Sequence, residues 1–225
     1  MPPQVLKRIS VRWFPDPAYE DTDTIALNVG GYFLDLRVEN SDASLQWCRA
    51  GERKVVNEKP FSYQWTRIID SSGVLDPDKA TWDWEELGNG DALEAGIAHC
   101  PSRDGALTPY EEVWRDVTHP GPTSYSWILQ SVDGTTFLGS VGGTFLGMKS
   151  YQDGGFAVRR NEWDPDKRAW DTRFDGGKVA AIPKVDDVAE SILTAMENRR
   201  VDTSITIADV EYVVRSFEKT SDSPS

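Results

Sequence analysis

The chain has 225 residues, of which 39% are hydrophobic and 11% aromatic, and nine are tryptophan. This length allows one large domain or two smaller ones, and this composition supplies a buried core, which excludes a disordered chain. The 37 acidic residues outnumber the 24 basic ones and give a net charge of −13. Because such a charge repels phosphate groups, we expect neither nucleic acid nor a membrane as a partner.

The sequence also lacks the segments and cysteine patterns of several protein classes. Its first residues, MPPQVLKRIS, contain no apolar run suited to a signal peptide. No stretch approaches the roughly 18 apolar residues of a membrane span. The two cysteines, Cys48 and Cys100, are too few for a disulfide framework or a Cys-based zinc site. We therefore expect a cytoplasmic protein.

The first half of the chain is predicted to form a series of short β-strands. Segments rich in β-branched and aromatic residues alternate there with turn clusters of Gly, Asn, Asp and Ser. The predicted strands cover residues 7–14, 24–27, 32–38, 45–49, 62–69 and 81–85. Such spacing, without intervening helices, is typical of β-barrels and β-sandwiches.

One motif of the first half returns in the second half. The run VGGYFLDLR at residues 29–37 is similar to VGGTFLGMK at residues 141–149, 112 residues later. Short β-segments can match by chance, but a separation of half the chain favours a duplication into two similar domains. The glycines of both runs are predicted to form turns or bulges and not a phosphate-binding loop, because they do not open a helix.

The second half continues the β pattern and adds one helix. Its predicted strands cover residues 126–131, 135–140, 144–150, 156–163, 169–174 and 210–217. Asp133-Gly134 predicts a tight hairpin turn. A helix is predicted over residues 185–200, because apolar residues recur there at helical spacing and Arg199 and Arg200 suit its negative end.

The boundary between the two predicted domains lies at residues 118–124. This segment, THPGPTS, holds two prolines and a glycine, which suit an exposed connector. We predict an N-terminal β-barrel domain over residues 1–119 and a C-terminal β-barrel domain over residues 120–219, the latter containing the helix. Residues 220–225 are predicted to be a disordered tail.

Motifs of metal, nucleotide or catalytic-triad chemistry are not found. The sequence has no HExxH, EF-hand loop, P-loop or GxSxG pattern. His99 and His119 are the two histidines, and His99 adjoins Cys100, a spacing that does not suit zinc ligands. We therefore expect no metal and no cofactor. A hydrolase that uses His99 with Cys100 is an open alternative, which a Cys100→Ala variant would test.

The tryptophans are the main candidates for a binding site. Such rings often just fill a small barrel, but their number also suits an apolar pocket with a few polar anchors. The residues expected to shape such a pocket are Trp47, Trp65, Trp84, Trp114 and Trp127. The candidate catalytic residues, which would donate hydrogen bonds to a ligand carbonyl or carboxylate, are Tyr110, Arg49 and Arg115.

An acidic surplus gathers between Trp82 and Glu94. It includes Asp83, Glu85 and Glu86. A solvated face that keeps the protein soluble is the simpler interpretation. The alternative is a docking surface for a basic protein partner.

The segment TPYEEVWRDV at residues 108–117 resembles a signature of the fungal HRI-type protein family. GYFLDLR at residues 31–37, LQWCRAG at residues 45–51, residues 155–173 and the strand from Val210 onward resemble other parts of that family. The resemblance covers nearly the whole chain. It implies a mainly β protein with two calycin-like, or lipocalin-like, antiparallel β-barrel domains, in a fungal intracellular setting, and it brings no agreed catalytic residues.

Two functional hypotheses follow. In the first, the protein binds an apolar small molecule in a barrel or between the domains. A copy recruited to secondary metabolism could use that pocket as a cofactor-independent cyclase or isomerase of the Diels–Alder type, an analogy at the level of the fold. Confinement of the substrate and donors aimed at a carbonyl would lower the barrier. In the second hypothesis, the protein is a non-catalytic adaptor that uses its acidic face.

Overall fold

The first eight strands form a closed antiparallel barrel. They were traced in a computed structural model that describes residues 2–194 and 201–219, without the side chains of residues 189, 190, 193 and 194. Each strand pairs with the next, and β1 pairs with β8 to close the ring. The strands are β1 (Gln4–Trp13), β2 (Thr22–Val29), β3 (Tyr32–Glu39), β4 (Leu45–Glu58), β5 (Phe61–Asp70), β6 (Asp78–Asp83), β7 (Ala92–His99) and β8 (Leu107–Asp116).

The later strands form a second antiparallel sheet. Its order is β13-β12-β11-β10-β9-β15-β14. The strands are β9 (Tyr125–Ser131), β10 (Thr136–Val141), β11 (Thr144–Ser150), β12 (Phe156–Asp164), β13 (Ala169–Gly177), β14 (Ser204–Ile207) and β15 (Val210–Lys219). The helix α1 (Val185–Thr194) lies between β13 and β14 in sequence. Within the described residues, the prediction of a mainly β chain with two antiparallel β units and one α-helix in its second half is confirmed, and one of the two units is a closed barrel.

The two sheets follow the same strand order. Reading the barrel as β5-β4-β3-β2-β1-β8-β7 reproduces the second sheet strand for strand, from β13 to β14. The counterpart of β6 is replaced by a segment that holds a short 3₁₀ turn (Val179–Ala181) and α1. Within the residues that the structure describes, the second sheet therefore has β13 and β14 as edges, whereas the first closes on itself.

The repeated VGG motif forms the same hairpin in both sheets. Gly30 joins β2 to β3 with a φ of 56°, and Gly142 joins β10 to β11 with a φ of 52°. Tight two-residue hairpin turns need a positive φ, which glycine adopts without steric cost. The repeated sequence motif thus marks corresponding positions of the two sheets, and its glycines form turns.

A shared apolar layer joins the barrel to the second sheet. It is a single cluster of buried residues that includes Leu27, Leu34 and Leu36 from the barrel wall and Phe137 and Met148 from the second sheet. An ion pair of 2.7 Å from Arg160 Nη1 to Asp23 Oδ2 also links the two. The space between the sheets is therefore filled with side chains of both.

The opposite face of the second sheet is covered by α1. Val185, Val188 and Ile192 are buried there against a cluster that includes Leu138 and Tyr212. The predicted amphipathic helix is confirmed over Val185–Thr194. The rest of that prediction, residues 195–200 with Arg199 and Arg200, lies outside the described residues, and so does the predicted tail.

Three strands were not predicted from the sequence: β7, β8 and β14. The predicted domain boundary at residues 118–124 stays a prediction. This segment lies between the end of β8 at Asp116 and the start of β9 at Tyr125. No helix among the described residues has the length and the apolar character needed to cross a bilayer.

Candidate functional site

A cavity lies inside the closed barrel, and each of the eight strands contributes to its lining. Residues two apart along a strand point to the same face of the sheet, so alternate residues of each strand face the interior of the barrel. The apolar lining consists of Leu6, Ala26, Phe33, Trp65, Trp82 and Trp114. The polar lining consists of Asn28, Asp35, Arg49, Arg53 and Glu94.

The cavity is small. Its free volume is about 20 Å³, and the hollow measures about 330 Å³ when its opening to solvent is included. A volume near 20 Å³ admits roughly one or two water molecules. In the conformation described, the interior accommodates a group of a few atoms and not an extended molecule.

The aromatic wall of the cavity is continuous. Trp82 stacks on Trp114 with ring centroids 6.1 Å apart and an interplanar angle of 25°, and it also contacts Trp65, Tyr63 and Trp84 at 5.9 to 6.2 Å. The Nε1 groups of Trp82 and Trp114 are buried and have no hydrogen-bond partner among the residues that the structure describes. Buried indole N–H groups usually find an acceptor, so these two are unused donors beside the cavity.

Ion pairs form one side of the cavity. Asp35 Oδ2 accepts hydrogen bonds from Arg49 Nε at 3.1 Å and from Arg37 Nη2 at 3.3 Å. Arg49 also pairs with Asp78, which in turn pairs with Arg67 at 2.5 Å. Burial by itself raises the pKa of Asp35, but the positive charges of Arg37 and Arg49 outweigh it, so the pKa is lowered. Asp35 is therefore an ionised carboxylate whose charge two arginines balance, and its Oδ1 atom has no hydrogen-bond partner among the described residues.

Glu94 differs from Asp35 in its protonation. Its carboxyl group is buried beside Glu112, and these two effects raise its pKa to about 8. The hydroxyl of Tyr110 donates a hydrogen bond of 2.7 Å to Glu94 Oε1. At neutral pH, Glu94 is therefore an uncharged acid in most molecules, and this acid lines the cavity.

Arg53 is the one buried arginine of the barrel lining without an ionic partner in the described part of the chain. Its guanidinium lies 4.5 Å from the centroid of the Tyr63 ring. Its side chain is 7% exposed, and burial lowers its pKa. By contrast, the buried Arg8 pairs with Glu112 at 2.6 Å and with Glu20 at 2.8 Å.

The structure brings several of the predicted site residues together. Arg49, Trp65 and Trp114 line the cavity, and Tyr110 and Trp84 pack against the same aromatic cluster. Trp47 does not line the cavity; its Nε1 donates to Asp70 at 2.8 Å and its ring contacts the guanidinium of Arg49 at 4.2 Å.

Two predicted residues lie away from the cavity. Arg115 is exposed and forms two hydrogen bonds of 2.8 Å with Asp91. Trp127 belongs to the second sheet, where its ring lies 6.2 Å from that of Phe145. The sequence alone did not distinguish these two residues from the predicted residues that point into the barrel.

Eight lining residues were missed: Leu6, Ala26, Asn28, Phe33, Asp35, Arg53, Trp82 and Glu94. A signal was present for one of them, because Arg49, Gly51 and Arg53 alternate along β4 and so share a face. Asp35 pairs with Arg49 in register across β3 and β4, which the sequence alone does not specify.

The acidic segment is divided by the fold. Asp83, Glu85 and Glu86 are exposed, and Asp83 accepts hydrogen bonds from the backbone N–H groups of both glutamates. Glu94, in contrast, is buried inside the barrel. The acidic surface is therefore smaller than the sequence suggested.

The hydrolase alternative gains no support from the geometry. His99 Nδ1 contacts the carbonyl oxygen of Gly105 at 2.6 Å, and the Cys100 sulfur lies 3.3 Å from the Ser102 hydroxyl. In the described residues the two side chains do not hydrogen-bond to each other, and no group of three or more His, Cys, Asp or Glu side chains could hold a metal ion.

Comparisons with known proteins identify a family and a fold. The family described as Protein HRI1 matches residues 4–214. A crystal structure of the uncharacterized protein YLR301w from Saccharomyces cerevisiae superposes with a TM-score of 0.75 at 17% sequence identity, covering 97% of this chain and all of the other. None of the curated proteins searched matches this chain. At this identity the structural likeness shows the fold alone.

Proposed function

The chain belongs to the HRI1 family, and we propose that it binds a small molecule inside its closed barrel. The observation that carries the proposal is a cavity bordered by buried donors without acceptors. The Nε1 groups of Trp82 and Trp114 are unpaired, and the guanidinium of Arg53 has no carboxylate partner in the described part of the chain. Burying an unsatisfied polar group costs about 1–3 kcal/mol, which a ligand with suitable acceptors would recover.

The aromatic wall supports a ligand with a flat apolar part. Trp65, Trp82, Trp114 and Phe33 surround the cavity, and pockets of this kind combine apolar walls with a few polar anchors. This proposal keeps the predicted small-molecule partner and its aromatic contacts. It places the site in the barrel, because the apolar layer between the two sheets is filled by their own side chains.

No contact in the site favours the cyclase hypothesis. The cavity of about 20 Å³ is far smaller than a polyene substrate. Tyr110 and Arg49, two of the predicted donors, are already engaged by Glu94 and by Asp35 with Asp78. The proposed function is therefore binding, in a cytoplasmic protein, with no reaction assigned.

The test follows the indole N–H signals of the tryptophans by two-dimensional NMR, assigned with single Trp→Phe variants. The probes are three small molecules of similar size: acetamide, acetate and methylammonium. Binding in the barrel should shift the signals of Trp82 and Trp114 and leave that of Trp127 unchanged, because Trp127 lies in the second sheet. If none of the three probes moves the barrel signals at saturating concentration, the proposal is wrong.

A variant that fills the cavity provides a second readout. Ala26 lines the cavity, and Ala26→Leu should abolish the probe-induced shifts by occupying the free volume. Ala169→Leu is the matched control, since Ala169 is exposed on β13. Probe binding that survives Ala26→Leu in a folded protein would place the binding elsewhere.

A further inference from the structure

Arg53 stands apart from the other buried arginines of this protein. Arg8, Arg49 and Arg160 are also less than a tenth exposed, and each of them pairs with at least one carboxylate. Arg53 is 7% exposed, and its contact is with the ring of Tyr63. A guanidinium stays charged at any ordinary pH, so this positive charge is buried without a counter-charge in the described part of the chain.

The position of Arg53 directs this charge toward the cavity. Arg53 lies opposite Trp65 in the pairing of β4 with β5, and both residues line the hollow. The carboxylate of Asp35 on the same lining is already shared by Arg37 and Arg49. No acid of the lining is therefore left to neutralise Arg53, because Glu94 holds its proton at neutral pH.

Besides Arg53, the free groups at the cavity among the described residues are two donors and one acceptor, the acceptor being the Oδ1 atom of Asp35, whose charge two arginines already balance. The indole N–H groups of Trp82 and Trp114 need acceptors, and neither has one in the structure. With Asp35 balancing Arg49 and Glu94 uncharged, the lining carries one net positive charge at neutral pH. A group that offers several acceptor lone pairs and one negative charge complements these features together.

We infer that the ligand of this cavity carries a carboxylate group and that Arg53 is the residue that pairs with it. A carboxylate is planar, has two acceptor oxygens, and matches the fork of a guanidinium with two parallel hydrogen bonds. Its two oxygens match the one or two water positions that the free volume admits, and the rest of the ligand would lie in the hollow that opens to solvent. This inference rests on the proposed function and names the ligand class of the same site.

The test compares acetate with acetamide, which has nearly the same size and shape but no charge. Both are titrated into the full-length protein while the indole signals of Trp82 and Trp114 are recorded. Acetate is expected to bind more tightly than acetamide and than methylammonium. In Arg53→Gln the affinity for acetate is expected to fall by roughly tenfold or more, since the variant removes one partner of a buried charge pair.

Lys54→Gln is the matched control. It removes one positive charge at the next position of the same strand, where the Lys54 side chain is 67% exposed and pairs with Glu52. This variant should bind acetate as the unmodified protein does, because a screened surface charge contributes little. Arg53→Lys keeps the charge but loses the fork, and we expect intermediate affinity.

Several outcomes would overturn the inference. Equal affinity for acetate and acetamide would do so, as would acetate binding that is unchanged in a folded Arg53→Gln protein. If Arg53→Gln does not fold, full acetate affinity in Arg53→Lys would have the same consequence. Shifts with acetamide alone would reject the carboxylate while leaving the proposed function in place, whereas the absence of shifts with every probe would reject both.

Discussion

The hydroxyl of Tyr110 donates a hydrogen bond of 2.7 Å to the buried carboxyl group of Glu94, so that two ionisable side chains share one site inside the barrel. Burial and the neighbouring Glu112 raise the pKa of Glu94 to about 8, although Arg49 and Arg37 act in the opposite direction. The same burial and the carboxyl of Glu94 raise the pKa of Tyr110. The folded protein therefore holds a proton on Glu94 at pH values where an unfolded chain has released it.

This difference predicts how stability depends on pH. Between the unfolded pKa of glutamate, near 4.3, and the folded value of about 8, the native state binds more protons than the unfolded state. The free energy of unfolding should thus fall as pH rises through this window. In Glu94→Gln, which cannot ionise, this contribution is absent, and the variant should gain relative stability at about 1.4 kcal/mol per pH unit in mid-window.

The measurement is denaturant unfolding at pH 5, 6, 7 and 8 for both proteins. The other ionisable groups are the same in both proteins, so their contributions cancel in the difference. Glu86→Gln is the control, because Glu86 is exposed and its removal should leave the pH profile unchanged. Parallel profiles for Glu94→Gln and the unmodified protein would contradict the prediction.

Much of the β architecture could be predicted from local pattern. The VGG motifs require turns at corresponding points, and both form hairpins with a positive φ at the first glycine. β7 (Ala92–His99) was missed because it contains Gly96, Glu94 and several alanines, which have low strand propensity. It becomes a strand through pairing on both sides, and a Cβ at Gly96 would lie 2.9 Å from the Tyr110 ring, so the small residue fits there.

The candidate site could be predicted only in part from the sequence. Trp65, Trp114 and Arg49 could be proposed from residue type, because large rings and arginines often border pockets. Their nearness to Glu94 depends on the closure of the barrel, which sets the register of strands far apart in sequence. The unpaired state of Arg53 is a property of its neighbours and could not be read from a single strand.

Arg49 and Arg115 were predicted to be equivalent donors, and the structure predicts different effects for them. Arg49 is buried and pairs with Asp35 at 3.1 Å and with Asp78, so Arg49→Met removes one of the two arginines that balance each of these carboxylates. We expect a loss of about 3–5 kcal/mol in the free energy of unfolding. The side chain of Arg115 is 53% exposed, and Arg115→Met should cost much less, because a solvent-exposed ion pair contributes little to stability.

Chemical denaturation at pH 7 separates these two effects. The variants are matched in chemistry, since each replaces an arginine of one β-strand by methionine. Equal losses of stability would show that the buried ion pairs of Arg49 contribute no more than a surface pair.

The two VGG turns predict unequal tolerance to alanine. A Cβ at Gly142 would lie 2.1 Å from the backbone oxygen of His119, which cannot move without shifting the connector. A Cβ at Gly30 would lie 2.7 Å from the hydroxyl oxygen of Ser216, a side chain that can rotate away. Both variants have the strain of a positive φ, about 1 kcal/mol, and Gly142→Ala should lose about 1–3 kcal/mol more than Gly30→Ala.

Gly73→Ala isolates the strain of the backbone. Gly73 has a φ of 75°, and a Cβ there would meet nothing within 4 Å. Its thermal or chemical unfolding gives the reference from which the steric part of the other two losses is measured. A Gly142→Ala protein as stable as Gly73→Ala would show that the connector yields freely.

The apolar layer between the sheets predicts that they unfold together. Leu34 is completely buried in that layer, and its Cδ1 atom would lie 3.1 Å from a Cβ placed on Gly139 of the second sheet. Leu34→Ala should lower the free energy of unfolding by about 2–5 kcal/mol, the range for a cavity-forming core substitution. Leu107→Ala, at a position that is 67% exposed, should change the free energy of unfolding by no more than about 0.5 kcal/mol.

If the indole signals of Trp82 and Trp127 are followed through denaturation of Leu34→Ala, both should move to the same lower midpoint, because each sheet loses packing in a layer that they share. A lower midpoint for Trp82 with an unchanged one for Trp127 would mean that the second sheet stands without the barrel.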